Sequence, residues 1–314
     1  MAELRVGVVG LGSMGRRHAE TYARLPGARL VAIATRDADK RRQAETEWGV
    51  VTFSDYRDLV GHVDAVTVAT PTYLHAEIAE HLLTQGIHVL VEKPLAVTEQ
   101  EAARVIAAAK AAGVCLMVGH IERFNPAFIR LAAEMRAAVP RQEKTRIRAY
   151  RMGPYDGRIH DVCVILDLMI HDIDLSLALH PAEGWDIHQA LGMPVVSSRT
   201  DVGIVEYTLR SNGAPPAKVT LLASRTNETK RRVIEVQSGG FFGKADLFGQ
   251  RVWVAPAGQE WRELPVAREA PLDLQLAHFV ASVRAGTQPA VPGEAGAAAL
   301  RLALDLVRRI QNTG

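Results

Sequence analysis

The chain is short of almost everything that would take it out of an ordinary aqueous compartment. Two cysteines, Cys115 and Cys163, stand among 314 residues. Both lie in apolar contexts without metal-ligand spacing, which argues against a disulfide scaffold and makes a reducing cytoplasm the expected home. Neither sign of charge is in excess: 37 Lys and Arg against 35 Asp and Glu leave a formal net charge of +2. Bulk electrostatics therefore point to neither nucleic acid nor a membrane surface as partner. No uninterrupted apolar run is long enough to cross a bilayer, and the first residues enter a strand-like segment without the basic and apolar stretches of an export signal. Repeats and low-complexity linkers are missing too. What remains is the expectation of a soluble chain of about two domains of roughly 100–200 residues each.

The sequence has two textures. From Leu4 to Val118, short β-branched runs (Leu4–Val9, Leu30–Ala34, Ala65–Ala69, His88–Val91, Val114–Val118) alternate with helical-period segments at Met14–Leu25, Leu74–Gln85 and Glu99–Ala112. That alternation predicts βαβ units and a parallel sheet covered on both faces. After about Gly119 come helices near Ala127–Ala138 and Val164–Leu179, then strand-like runs at Gly203–Leu209, Lys218–Ser224, Arg232–Gln237, Lys244–Phe248 and Val252–Ala255, and closing helices near Leu272–Ala285 and Gly293–Ile310. The expected fold is thus an α/β Rossmann dinucleotide-binding domain over 1–121, followed by an α+β domain over 122–314 with a mostly antiparallel open sheet.

Gly10-Leu11-Gly12-Ser13-Met14-Gly15 is G-x-G-x-x-G between the first strand and the first helix, the context that fingerprint requires. Gly10 permits the tight turn, Gly12 lets the backbone approach a pyrophosphate, Gly15 allows close helix–strand packing, and the helix start at Ser13 and Met14 offers amides to the phosphates. The acidic residue expected on the ribose is missing where the second strand ends in Ala34-Thr35-Arg36-Asp37. Thr35 and Arg36 suit a 2′-phosphate, because a carboxylate would repel it and a guanidinium grips it, which leans towards NADP over NAD. Arg36 as a solvated residue and Asp37 as a helix N-cap are the competing readings.

In an open parallel sheet, ligands bind beyond the carboxyl ends of the strands. Val91-Glu92-Lys93-Pro94-Leu95 closes one such strand, so Glu92 is placed beside the cofactor and Lys93 near its nicotinamide, where Pro94 restricts the backbone and the ammonium can favour a substrate alkoxide. An edge ion pair between Glu92 and Lys93 is the plainer alternative. Thr70-Pro71 closes the preceding strand and is read as lining the dinucleotide, with His75 either close to it or on a helix surface.

The segments GVVGLGSMGRRHAE, VATPTYLHAEIAEHLLTQGIHVLVEKPLAVTEQEA and VGHIERFNPAF resemble the family of glucose–fructose oxidoreductase, inositol dehydrogenase and rhizopine-catabolism proteins, continuously over about the first 130 residues. That resemblance implies a lysine of the Glu-Lys-Pro motif at the active site, here Lys93, and a second-domain helix carrying Asp-x-x-x-His towards the nicotinamide, here Asp167 and His171. The residues support a similar reading. Asp167, His171 and Asp174 fall at i, i+4 and i+7 on one face of an apolar helix, where an imidazole can take a hydroxyl proton and a carboxylate can orient it. A satisfied core histidine, or a metal site with nearby His160 and Asp161 but no third ligand of convincing spacing, are the alternatives.

His120, Glu122, Arg123 and Asn125 enter the second domain and are placed over the substrate. Their form, with LMIHDIDL and ASRTNETKRR, looks most like the nucleotide-sugar branch, which oxidises UDP-N-acetylglucosamine or its uronic acid at C3. Arg225, Lys230, Arg231 and Arg232 are candidate diphosphate contacts, or else the exposed charges of a strand. A dehydrogenase of a free sugar or inositol is the alternative within the enzymes. A regulator that binds NAD(P) without catalysis, as one member of the superfamily does, is the alternative outside them, although no basic patch or helix-turn-helix signature favours DNA contact. Gly239-Gly240-Phe241-Phe242-Gly243 suggests that the open sheet face pairs with another subunit, giving a homodimer or homotetramer.

Overall fold

The structure is a computed structural model that describes residues 3–139, 143–155, 157 and 162–313. Its contacts divide the chain into two compact units, Met1–Ile121 with Ala270–Leu300, and Glu122–Glu269 with Arg301–Gly314. The first cut falls between Ile121 and Glu122. The stretch Ala270–Leu300, expected in the second domain, belongs to the first unit instead.

Unit 1 runs β1 (Leu4–Val9), α1 (Ser13–Tyr22), β2 (Ala28–Ala34), α2 (Ala38–Trp48), β3 (Val51–Phe53), β4 (Ala65–Val68), α3 (His75–Thr84), β5 (His88–Glu92), α4 (Glu99–Ala112) and β6 (Leu116–Gly119). The six strands lie parallel in the order β3-β2-β1-β4-β5-β6, so the order reverses between β1 and β4. Such a switch point opens a crevice at the carboxyl ends of the strands. Val6, Val8, Ile33, Val66, Val68, Val89 and Leu90 are fully buried between the helix layers, each worth roughly 1.5–3 kcal/mol. The helices carry their own boundaries: Asp37 accepts from the amides of Asp39 and Lys40 to cap α2, and Thr98 with Glu101 forms a capping box on α4.

After unit 2 the chain returns through α7 (Pro271–Ala285) and α8 (Gly293–Thr313). Helix α7 packs on α1, with Asp273 accepting from Thr21 and Arg24. The start of α8 presses on β6 so closely that a Cβ on Gly296 would lie 2.5 Å from Val118. These contacts are why helices late in the sequence group with the early sheet.

Unit 2 runs α5 (Pro126–Ala138), β7 (Thr145–Met152), α6 (Ile170–Leu179), β8 (Gly184–Met193), β9 (Val202–Ser211), β10 (Ala214–Ser224), β11 (Arg231–Ser238), β12 (Phe241–Asp246), β13 (Arg251–Pro256) and β14 (Arg262–Leu264). They form an eight-stranded sheet in the order β14-β13-β12-β11-β7-β10-β9-β8, antiparallel except for the β7–β10 pair. Helix α5 packs on β12 and β13, α6 on β7 and β10. The segment expected to be one helix over Val164–Leu179 opens with a π-helical turn, Ile165–Met169, before α6.

Five of the eight strands match expected runs. β7 was missed because Arg146, Arg148 and Arg151 interrupt its apolar residues, β8 because Asp186, His188 and Gln189 break up its apolar residues and an irregularity between Ile187 and Gln189 breaks its alternation, and β14 because it is short. The Phe241 side chain is buried on the inner face, and a Cβ on Gly243 would meet Leu131 of α5 at 2.4 Å, so these two residues do not face outwards as the sequence suggested. Phe242, Lys244, Trp253 and Trp261 do, together with Arg146 and Arg148, around a shallow cavity of about 440 Å³. No helix among the described residues is long and apolar enough to cross a membrane.

Candidate active site

The glycine-rich turn has the geometry its spacing demands. Gly10 adopts φ +90°, which only glycine holds without strain, and a Cβ there would lie 2.7 Å from the Ala69 carbonyl oxygen. A Cβ on Gly15 would fall 1.8 Å from the Gly10 carbonyl oxygen, so α1 could not sit this close to the turn with any side chain there. Gly12 is different, since nothing beyond its own chain neighbours lies within 4 Å of its would-be Cβ. Helix α1 has no side-chain cap and no acidic residue in its first turn. Its first amides, at Ser13 and Met14, thus lack a partner from the side chains, as an anion-binding helix start requires.

Gly10, Gly12, Ser13 and Met14, but not Gly15, line a cavity of about 700 Å³ with Thr35, Arg36, Asp37, Lys40, Thr70 and Pro71. Of the carboxylate and the two cations at the end of β2, Asp37 is committed to the α2 amides, which hold its pKa below the usual carboxylate range. Lys40 stands 3.7 Å from it, and Arg36 is exposed on the rim. Sequence reasoning missed the next stretch, Ser54–Arg57, because it follows the three-residue β3. There Arg57 pairs with Asp55 at 3.0 Å and Glu77 at 3.1 Å, and partial burial with the Glu77 bond pushes the Tyr56 hydroxyl up to about 12.

Lys93 is half-buried in the turn after β5, and its peptide bond to Pro94 is cis. Glu92 does not face the dinucleotide cavity. Its carboxylate sits 2.8 Å from His18 Nε2 on α1 and accepts from the Lys93 amide at 3.3 Å, in a space left by the missing side chain of Gly119. Burial favours its neutral form, but the His18 bond and charge hold its pKa below the usual range. His75 is neither a helix-surface residue nor a lining residue of the cavity: it is 1 % exposed, with its ring between two loop carbonyls. His120 is buried outright.

In unit 2, Asp167 lies in the π-helical turn and is buried, while His171, at the second position of α6, is half-buried. Arg123 and Asp174 form a two-pronged ion pair at 2.6 and 2.8 Å, which commits both to each other. Asn125 caps α5 through the Ala127 amide and bonds Glu122 and the Leu247 carbonyl. Arg225 is buried against Asp201 at 2.7 Å with its guanidinium over Tyr155, Arg231 lies over Tyr150, and Arg232 reaches Glu122 at 3.4 Å. Fully buried Arg151 bridges Glu122 and Asp172, both at 2.8 Å. Its signal in the sequence is an arginine where the alternation of Ile147 and Ala149 calls for an apolar residue. Most charges read as substrate contacts are therefore engaged in the unit's own framework. His160 and Asp161 lie outside the described residues, and among those described no group of three metal-ligating side chains stands together.

The model of an oxidoreductase family with an NAD-binding Rossmann fold matches residues 4–120. UDP-N-acetylglucosamine 3-dehydrogenase of Acidithiobacillus ferrooxidans is 35 % identical over 234 residues, 74 % of this chain and 71 % of that protein. A scyllo-inositol 2-dehydrogenase (NAD(+)) of Bacillus subtilis is 27 % identical over 305 residues, 92 % and 89 % of the two chains. Among solved structures, UDP-N-acetylglucosamine 3-dehydrogenase GnnA from Acidithiobacillus ferrooxidans superposes with a TM-score of 0.91 at 29 % identity, covering 99 % of each chain.

Proposed function

The chain belongs to the Gfo/Idh/MocA oxidoreductase family, and from that premise we propose that it transfers a hydride between a secondary hydroxyl of a UDP-amino sugar and a nicotinamide dinucleotide. The substrate would be UDP-N-acetylglucosamine or its uronic acid, oxidised at C3. What carries the redox half of this reading is the uncapped start of α1 beside a Gly12 with nothing within 4 Å of its Cβ position. The nucleotide-sugar half is supported by likeness to UDP-N-acetylglucosamine 3-dehydrogenase along nearly the whole chain. The inositol dehydrogenase relative favours a second reading, a free polyol or sugar as substrate.

In this proposal Gly10, Gly12, Gly15 and the amides of Ser13 and Met14 bind the pyrophosphate, and Thr70 and Pro71 border the dinucleotide. Thr35 and Arg36 take the ribose end, where Arg36 and Lys40 favour the 2′-phosphate of NADP. A bound nicotinamide would supply the hydride acceptor for the carbinol carbon. His171 takes the hydroxyl proton, Asp167 orients that imidazole, and the Lys93 ammonium stabilises the alkoxide as the carbon–oxygen bond becomes a carbonyl. The outward face of the second sheet, with Trp253, Trp261 and Phe242, pairs subunits into a dimer or tetramer, and light scattering on the eluting protein reads this directly.

A thermal-shift panel tests the substrate. NADPH with UDP-N-acetylglucosamine is expected to raise the melting temperature beyond NADPH alone, because ligands that bind only the native state stabilise it. A further rise with myo-inositol instead would select the second reading. Lys93→Met and His171→Ala are each expected to lower kcat/KM by about 10²–10⁴ while leaving dinucleotide affinity near its original value.

A further inference from the structure

His75 opens α3 with its ring held between two loops of unit 1. Nδ1 lies 2.8 Å from the Pro94 carbonyl oxygen, and Nε2 lies 2.8 Å from that of Thr70. Both partners are acceptors only. A neutral imidazole has one N–H and satisfies one of them, whereas an imidazolium donates to both. Burial lowers the His75 pKa and Lys93 adds to that; the two carbonyls and the Glu92 carboxylate oppose it. An imidazolium ties both loops at once, whereas a neutral ring holds one at a time and changes hold by moving its proton to the other nitrogen.

The loops have different duties. Thr70 and Pro71 border the dinucleotide cavity, while Pro94 follows Lys93. On the other side of Lys93, Glu92 accepts from the Lys93 amide and is itself held by His18. The lysine is thus flanked by two main-chain anchors, each ending on a buried histidine, and His75 alone of the two reaches a loop that lines the cavity.

We propose that His75 is a positioning residue, a two-ended clasp through which the Thr70–Pro71 loop on the dinucleotide side sets the placement of the Lys93 turn. The inference rests on reading Lys93 as the residue at the reacting hydroxyl and deepens that reading. A core histidine that merely fills space would need one donor bond and would serve equally well from either nitrogen.

Two substitutions separate the ends. The amide nitrogen of Asn stands near the place of Nδ1 and that of Gln near the place of Nε2, and neither side chain titrates in the working range. Hydrogen–deuterium exchange on the full, dinucleotide-free chain should show His75→Asn loosening Thr72–Leu74 about five- to tenfold with Leu95–Val97 unchanged, and His75→Gln the reverse, the size expected for one lost net hydrogen bond. In turnover, His75→Asn should raise the dinucleotide KM at near-original kcat, and His75→Gln should lower kcat at near-original dinucleotide affinity.

An isostere that matches the original protein in both loops, or two isosteres that loosen both loops alike, overturns the clasp. The original protein gives a check that does not depend on either variant folding: ring-nitrogen NMR of His75 should show two protonated or exchange-averaged nitrogens, and a single fixed tautomer would refute it. Failure of the Lys93 reading looks different, because turnover would survive Lys93→Met while the exchange split between the two isosteres remained.

Discussion

Unit 1 buries two imidazoles, His18 and His75, against neutral or anionic acceptors, whereas unit 2 locks guanidiniums to buried carboxylates. His18 on Glu92 and His75 on two carbonyls represent the first style; buried Arg151 between Glu122 and Asp172, buried Arg225 on Asp201 and the half-buried Arg123 on buried Asp174 represent the second. The difference teaches that a buried charge in this chain is not by itself a mark of chemistry. Arginine stays ionised and so demands permanent partners, while histidine can change its proton count near neutrality and adapt.

The largest effect expected from breaking this contrast is at Arg151. Arg151→Met leaves Glu122 and Asp172 buried without their shared cation and should cost about 3–5 kcal/mol in urea unfolding. Arg225→Met should cost less, because Asp201 also accepts the amides of Val195, Val196 and Ser197. A loss at Arg225 equal to that at Arg151 would dissolve the distinction between a shared and a multiply held carboxylate.

In unit 1, His18→Leu strands the Glu92 carboxylate and is expected to destabilise by about 1–3 kcal/mol. It should also lower kcat, since Glu92 holds the Lys93 amide. Unchanged turnover at reduced stability would place His18 with the framework residues of unit 2.

Acid should separate the units more gently. Burial lowers the pKa of His75, His88 and His278 in unit 1 and of His180 in unit 2. These rings bind fewer protons folded than unfolded, so stability falls as pH drops below about 6.5, through their depressed values. Glu92 and Glu122, depressed carboxylates, add their loss only below about 4.3. Hydrogen exchange at about pH 7 and pH 5.5 should show β5 and α3 losing protection before β9 and β10. The smallest expected change is at Arg36, where Arg36→Ala should narrow any preference for NADPH over NADH, measured as a ratio of dissociation constants.

Much of unit 1 was legible because its chemistry is written in neighbours. Gly10, Gly12 and Gly15 serve the backbone of one turn, and Glu92-Lys93-Pro94 closes one apolar strand. What was not legible depended on partners far away in the chain. Glu92 looks like a cavity residue until His18, 74 positions earlier, takes its carboxylate. Arg123 looks free until Asp174 appears 51 positions on. In unit 2 the alternation of β7 was present, but its arginines on both faces concealed it, and the two-residue spacing of Ile147, Ala149 and Arg151 acquires meaning only once Glu122 and Asp172 are known to lie beneath.

The return of Ala270–Leu300 to the first sheet has a genetic consequence. The nucleotide-binding half is encoded in two separate stretches, and the second ends within α8, which continues into the other unit without a break. A gene cut after codon 121 would yield a sheet with β6 bare and α1 lacking the cover of α7. Recombination between relatives can therefore exchange this half intact only by crossing over at three borders at once, after Ile121, after Glu269 and after Leu300, and the last of these lies inside α8 rather than in a loop.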